Sequence, residues 1–292
     1  MIEGSIVAIV TPFSRGRVDE SALEKLVEFQ IENGTHGIVA CGTTGESPTL
    51  SHDEHEHVIE LIVKMAGGRV PVIAGTGSNS TDEAVRLTRF AKKVGADGTL
   101  LVVPYYNKPT QDGLFRHFAA IADKVDIPII LYNVPGRTGV SLSPQTTAKL
   151  ARSCKNIIGI KDATGSVQNA SKTLHLTGMK FILLSGEDAI NYPLLTVGGR
   201  GFITVTANVA PKHVSDLYNY YKKGKIEKAR NLHYKLLELN EIMFIEANPI
   251  PVKTALYLMG MIKNEFRLPL SKMSKSHAVE LKKVLKNYDL IK

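Results

Sequence analysis

Short apolar, β-branched runs alternate along this chain with longer stretches of helical period. The runs are Ser5–Val10, Gly37–Cys41, Val70–Gly75, Gly98–Val103, Pro128–Asn133, Ile157–Lys161, Phe181–Ser185 and Gly201–Val205. Most are continuously apolar rather than alternating, as strands covered on both faces are. Between them, Glu20–Glu32 places Leu23, Leu26, Val27 and Ile31 on one face, and Gly34 follows as a stop signal. Ser51 with Glu54 three residues on has capping-box spacing, so a second helix starts there. Further helices are predicted over Ser80–Val94, Gln111–Lys124, Pro144–Arg152, Val167–Leu176 and Asp188–Val197. In Ser143-Pro144, cap and first-turn proline coincide.

Eight β-then-α units in strict alternation predict an α/β fold, a (β/α)8 TIM barrel, with a doubly wound open sheet as the alternative. The barrel is expected over residues 1–224. Residues 225–292 read as three helices without a strand, a C-terminal helical extension with no flexible linker before it.

Composition narrows the class. Apolar residues make up 43% and charged residues 22% of the 292, ordinary globular usage that excludes disorder and small disulfide scaffolds. Two distant cysteines, Cys41 and Cys154, fit a reduced, cytoplasmic setting. No apolar stretch is long enough to span a membrane. The net charge is +8, and Lys253–Lys292 holds nine Lys/Arg against three Asp/Glu. Those basic residues interleave with apolar ones at helical spacing, which reads as a solvated helix face rather than a nucleic-acid site.

In a barrel of this kind, chemistry sits at the C-terminal ends of the strands and in the loops after them. Lys161 closes the run Ile157–Ile160. Burial disfavours an ammonium, and a neutral amine can attack a ketone to form a Schiff base. Tyr132 ends the neighbouring strand, where a phenol can relay protons. Thr43 and Thr44 lie in a glycine-flanked turn whose hydroxyls and N–H groups suit a carboxylate. Arg137, in Pro135-Gly136-Arg137-Thr138-Gly139, offers a planar fork for a second carboxylate. Other motifs do not hold. Gly75-Thr76-Gly77 has Ser80 where a dinucleotide fingerprint needs glycine. His52, His55 and His57 lack the His-Glu-x-x-His pattern, and no metal is expected there.

Together these segments resemble the dihydrodipicolinate synthase family of lysine-dependent class I aldolase-like barrels. The match spans the chain: Gly4–Pro12, Gly42–Ser47, Pro104–Pro109, Tyr132–Gly139, Ile157–Gly165, Thr204–Val209 and Asn248–Lys253. The lysine and Gly-Thr-Thr-Gly-Glu segments are similar to those of N-acetylneuraminate lyase as well; Pro104–Pro109 with Tyr132–Gly139 is more specific. The resemblance implies that Lys161 condenses with pyruvate. It implies a proton relay of Tyr132, Thr43 and Tyr106, the last donated across a subunit interface. It assigns the pyruvate carboxylate to Thr43 and Thr44, the carboxylate of L-aspartate 4-semialdehyde to Arg137, and positioning to Gly186 and Ile203. No cofactor is implied, and the expected assembly is a homo-oligomer, a dimer of dimers. A sister aldolase acting on a 2-keto-3-deoxy sugar acid is the alternative.

The resemblance further implies a feedback site for L-lysine at Ser47, His52, His55, Asn79, Glu83 and Tyr105. Glu83 offers a carboxylate for an ammonium, and Asn79 with Tyr105 can bind a carboxylate. Pro48 departs from the family pattern and removes one backbone donor.

Overall fold

The computed structural model describes residues 2–292. Eight parallel strands close into a barrel: β1 Gly4–Ala8, β2 Gly37–Ala40, β3 Val72–Gly75, β4 Gly98–Val102, β5 Ile129–Asn133, β6 Ile157–Asp162, β7 Ile182–Ser185 and β8 Gly201–Thr204. Closure comes from β1, which pairs with β8 (Ile6 opposite Ile203) on one side and β2 (Ile6 opposite Gly37) on the other. Alternate side chains of these apolar strands fill the barrel interior, with Ile6, Val39, Ile73, Leu100, Ile130, Leu184 and Ile203 in one cluster. The others point outward into a ring of helices.

That ring comprises α1 Glu20–Glu32, α2 His52–Ala66, α3 Thr81–Lys93, α4 Gln111–Lys124, α5 Pro144–Ser153, α6 Val167–Thr177, α7 Asn191–Thr196 and α8 Pro211–Lys222. Asp19 caps α1 through the Ala22 N–H at 3.1 Å, and the helix buries Leu23, Leu26 and Val27. The Ser51–Glu54 capping box forms as the spacing requires. Pro144 opens α5 behind the Ser143 cap. Three more helices follow: α9 Ile226–Ile242, α10 Ile250–Leu258 and α11 Lys275–Asn287. Leu236, Leu239, Val252, Leu256, Leu281 and Leu285 from these helices share a buried cluster with Leu23, Leu26, Ile59 and Ile62 of α1 and α2.

Several ends differ from the sequence reading. The third strand starts at Val72, not Val70, because Pro71 has no N–H for the ladder. The first strand stops at Ala8; the Val10 N–H instead donates to Asn208 Oδ1 at 3.2 Å. The stretch Asp188–Val197 divides into a 3-10 turn, Asp188–Ile190, and α7. The Asp188 carboxylate accepts from the Val205 and Thr206 N–H groups at 2.8 and 3.0 Å, which pulls that turn toward the strand ends. A two-residue hairpin, Phe13–Ser14 with Arg17–Val18, has no sequence signal long enough to read.

Candidate active site

The strand register sets the reacting groups side by side. Tyr132 on β5 lies directly opposite Lys161 on β6. The Lys161 ammonium stands 4.3 Å from the centre of the Tyr132 ring, and Lys161 is 7% exposed. Its chain neighbour Asp162 is not available to it. That carboxylate accepts from the Thr164 N–H and hydroxyl at 2.9 and 2.6 Å and from Asn169 Nδ2 at 2.7 Å. Lys161 therefore stands beside a phenol rather than inside a tight ion pair.

Gly186, just past β7, makes this placement possible. A Cβ there would lie 2.8 Å from Lys161 Cε and 3.0 Å from its Cγ, so any side chain would collide with the lysine stem. Ile203 on β8 closes the interior beneath, 2% exposed. Next to Gly186, burial and the neighbouring Asp188 charge hold the Glu187 carboxyl above the ordinary carboxylate pKa, an effect that Lys161 opposes.

The Thr43–Thr44 turn follows β2 and is bracketed by two non-glycine residues in left-handed conformation, Cys41 at φ 52° and Glu46 at φ 54°. Thr44 is buried and its Oγ1 accepts from Asn248 Nδ2 at 3.0 Å. Thr43 is half-buried and lines a cavity of about 510 Å³ together with Tyr132, Val134, Arg137 and Thr138. Arg137 sits in a single helical turn, Pro135–Thr138, exposed at the rim; Nη2 donates to the Asn248 carbonyl at 3.3 Å. Its guanidinium keeps most of its donors free for a ligand.

The same cavity continues past Ser47, Pro48, His52, His55, Glu83 and Tyr105. His52 Nε2 lies 3.0 Å from Glu83, and the Ser78 hydroxyl donates to the same carboxylate. His55 is buried, its Nε2 2.7 Å from the Gly75 carbonyl; burial pushes its pKa down and that contact opposes the shift. That contact anchors the ring through Nε2 while His55 lines the cavity beside His52. Burial, with the Glu83 charge next in effect, raises the Tyr105 phenol pKa. Asn79 does not line the cavity; its carbonyl accepts from Asn107 Nδ2 at 2.9 Å.

Tyr106 stands apart from the rest. It is 89% exposed, does not line the cavity just described, and has a φ of 70°, a conformation that a residue with a side chain adopts only under constraint.

Sequence reasoning assigned no role to three groups at this mouth: Asn248, Glu187 and the buried pair Glu46–Lys253. Asn248 and Lys253 arrive from the extension, some 200 residues from their partners, so no local spacing connects them. Glu187 carried one readable signal, its place directly after a strand.

Comparison with known proteins gives a consistent answer. The sequence pattern of the dihydrodipicolinate synthetase family matches residues 1–288. The 4-hydroxy-tetrahydrodipicolinate synthase of Thermodesulfovibrio yellowstonii is 59% identical over 292 residues, covering 100% of both chains. A dihydrodipicolinate synthase from Acinetobacter baumannii, solved with pyruvate, superimposes with a TM-score of 0.97 at 50% identity over 100% of both chains. The enzyme from Cyanidioschyzon merolae, solved with lysine bound, gives 0.96 at 40% identity over 99% of both.

Proposed function

Since the chain belongs to the dihydrodipicolinate synthetase family, we propose that its mouth residues carry out that family's condensation by the following division of labour. The activity is that of 4-hydroxy-tetrahydrodipicolinate synthase, a lyase reaction joining pyruvate and L-aspartate 4-semialdehyde on the diaminopimelate route to lysine. Lys161 Nζ attacks C2 of pyruvate and loses water to give an imine. Loss of a C3 proton gives the enamine, and C3 then bonds to the aldehyde carbon. The amine of the new chain attacks the imine carbon, closes the ring and releases Lys161. Tyr132, with Thr43, moves the protons that these steps require. Thr43 and Thr44 hold the pyruvate carboxylate and Arg137 holds that of the semialdehyde.

The observation that carries this reading is Lys161 packed against Tyr132 in a slot that only a glycine at 186 leaves open. Tyr106 completes the relay from a second subunit. A phenol this exposed, held in a constrained backbone conformation, is what a residue built to reach into a partner requires. The assembly we propose is a homo-oligomer arranged as a dimer of dimers. L-Lysine binds as feedback inhibitor against Glu83, His52, His55, Ser47 and Tyr105, with Asn79 near by. Among the described residues no helix is long and apolar enough to cross a membrane, and two unpaired cysteines fit the cytoplasm as the working compartment.

Borohydride reduction in the presence of pyruvate tests the assignment. One pyruvate adduct should form on the wild type and none on Lys161→Ala. An adduct mapped to a different lysine would sink it. Turnover of sugar acids in place of the semialdehyde would point to the sister aldolases.

A further inference from the structure

Two lysines are buried near this barrel mouth, and the chemistry above uses one. The other, Lys253 on α10, is 1% exposed and forms an ion pair with Glu46, which is itself 0% exposed. The Lys253 ammonium also stands 4.3 Å from the centre of the Phe13 ring and 5.0 Å from that of Phe266. Glu46 is the last residue of Thr43-Thr44-Gly45-Glu46 and the one in left-handed conformation. The other end of that turn is tied to the same part of the extension, through Asn248 Nδ2 to Thr44 Oγ1 at 3.0 Å. Between them the Thr11 hydroxyl donates to the Gly45 carbonyl at 2.7 Å.

A fully buried ion pair is not the cheapest way to fill this space, because apolar residues of equal volume often serve stability as well or better. What it adds is direction. A charge-assisted bond from a fixed helix sets the orientation of Glu46, the left-handed residue that closes the far end of the turn.

We infer that Glu46 and Lys253 are a positioning pair, which holds the Thr43–Thr44 turn in the shape that receives the pyruvate carboxylate. This rests on the reading that Thr43 and Thr44 bind that group. The pair touches no substrate; it acts through the turn. Its loss therefore affects the first substrate and leaves recognition of the second, at Arg137, in place.

The test uses the full-length enzyme and the double variant Glu46→Gln/Lys253→Met, which keeps volume and leaves no lone buried charge. Its thermal unfolding should stay close to wild type. The rate of imine formation at subsaturating pyruvate, trapped with borohydride, should fall about ten- to a hundredfold, as misplacement of a binding group does. KM for pyruvate should rise while KM for the semialdehyde is unchanged. Glu46→Asp alone, which keeps the carboxylate opposite Lys253, should lose less than the double variant. A folded double variant with wild-type pyruvate kinetics overturns the inference. So does a double variant that cannot fold, since the pair is then a requirement of the fold. If the wild type itself traps no pyruvate at Lys161, the underlying functional reading fails instead.

Discussion

Replacing Arg137 by alanine separates the two substrates. Among the described residues the guanidinium makes one hydrogen bond, 3.3 Å from Nη2 to the Asn248 carbonyl, and Arg137 is exposed. Truncation of such a surface group shifts stability by no more than about 0.5 kcal/mol. Its cost in binding is larger. A hydrogen bond to a charged group contributes about 1.5–3 kcal/mol, which converts to roughly a 10- to 150-fold loss in affinity for the semialdehyde. Lys161, Tyr132 and the Thr43–Thr44 turn are untouched, so pyruvate should still form its imine at the wild-type rate. The assay is a pair of saturation curves, each substrate varied against an excess of the other, with borohydride trapping of pyruvate alone as control. KM for the semialdehyde should rise by the stated factor at an unchanged melting temperature. Equal loss toward both substrates, or loss of pyruvate trapping, would refute the placement of Arg137 as the receptor of the second carboxylate only.

Three further outcomes are expected. Mixed oligomers of Tyr106→Phe and Lys161→Ala protomers should regain activity that neither parent has, because one intact site can form from two damaged chains; verified hetero-oligomers without recovery would show that each site is built within one chain. Glu83→Ala should abolish inhibition by L-lysine while leaving uninhibited turnover near wild type, and calorimetry detecting no L-lysine binding to active wild-type enzyme would remove the feedback reading. The third concerns acid. The Arg267 guanidinium, bonded to both Glu54 oxygens, holds that carboxyl at about 2, well below its ordinary 4.5, against some opposing burial. A carboxylate with a depressed folded pKa stabilises fully above the unfolded value, and that contribution is lost as pH falls from about 4.5 toward about 2. Both side chains are partly exposed, so about 1–2 kcal/mol is the expected size after solvent screening. Arg267→Ala should lower the unfolding midpoint at pH 5 and flatten its fall between pH 5 and 3; an unaltered slope would refute the assignment.

Much of the barrel was legible because a strand buried on both faces leaves an unmistakable trace: Ile157–Ile160 and Ile129–Leu131 admit no polar residue. Helix starts were legible where a cap is chemically specific, as at Ser51 with Glu54 and at Ser143 with Pro144. The same locality explains what was missed. The hairpin at Phe13–Val18 has Gly16 as its one local turn signal and is stabilised from outside, by Glu265 accepting the Arg15 and Gly16 N–H groups at 2.9 and 2.6 Å. The strand-end rule picked out Lys161 and Tyr132. It could not foresee that Gly186 is defined by the lysine stem, or that His55 spends its ring nitrogen on Gly75. Glu46 and Lys253 each look like surface residues by type. Only their meeting across 207 positions makes both interior.

The continuity of the cavity past Thr43, Tyr132 and Arg137 to Ser47, His52, Glu83 and Tyr105 has a thermodynamic corollary. Substrate and effector would share a wall, since Thr43 and Ser47 are opposite ends of one turn. Linkage then requires symmetry: whatever factor L-lysine imposes on the binding of pyruvate, pyruvate must impose on the binding of L-lysine. No relay across the barrel is needed to transmit it. The effector's dissociation constant measured with and without saturating pyruvate reads the coupling directly.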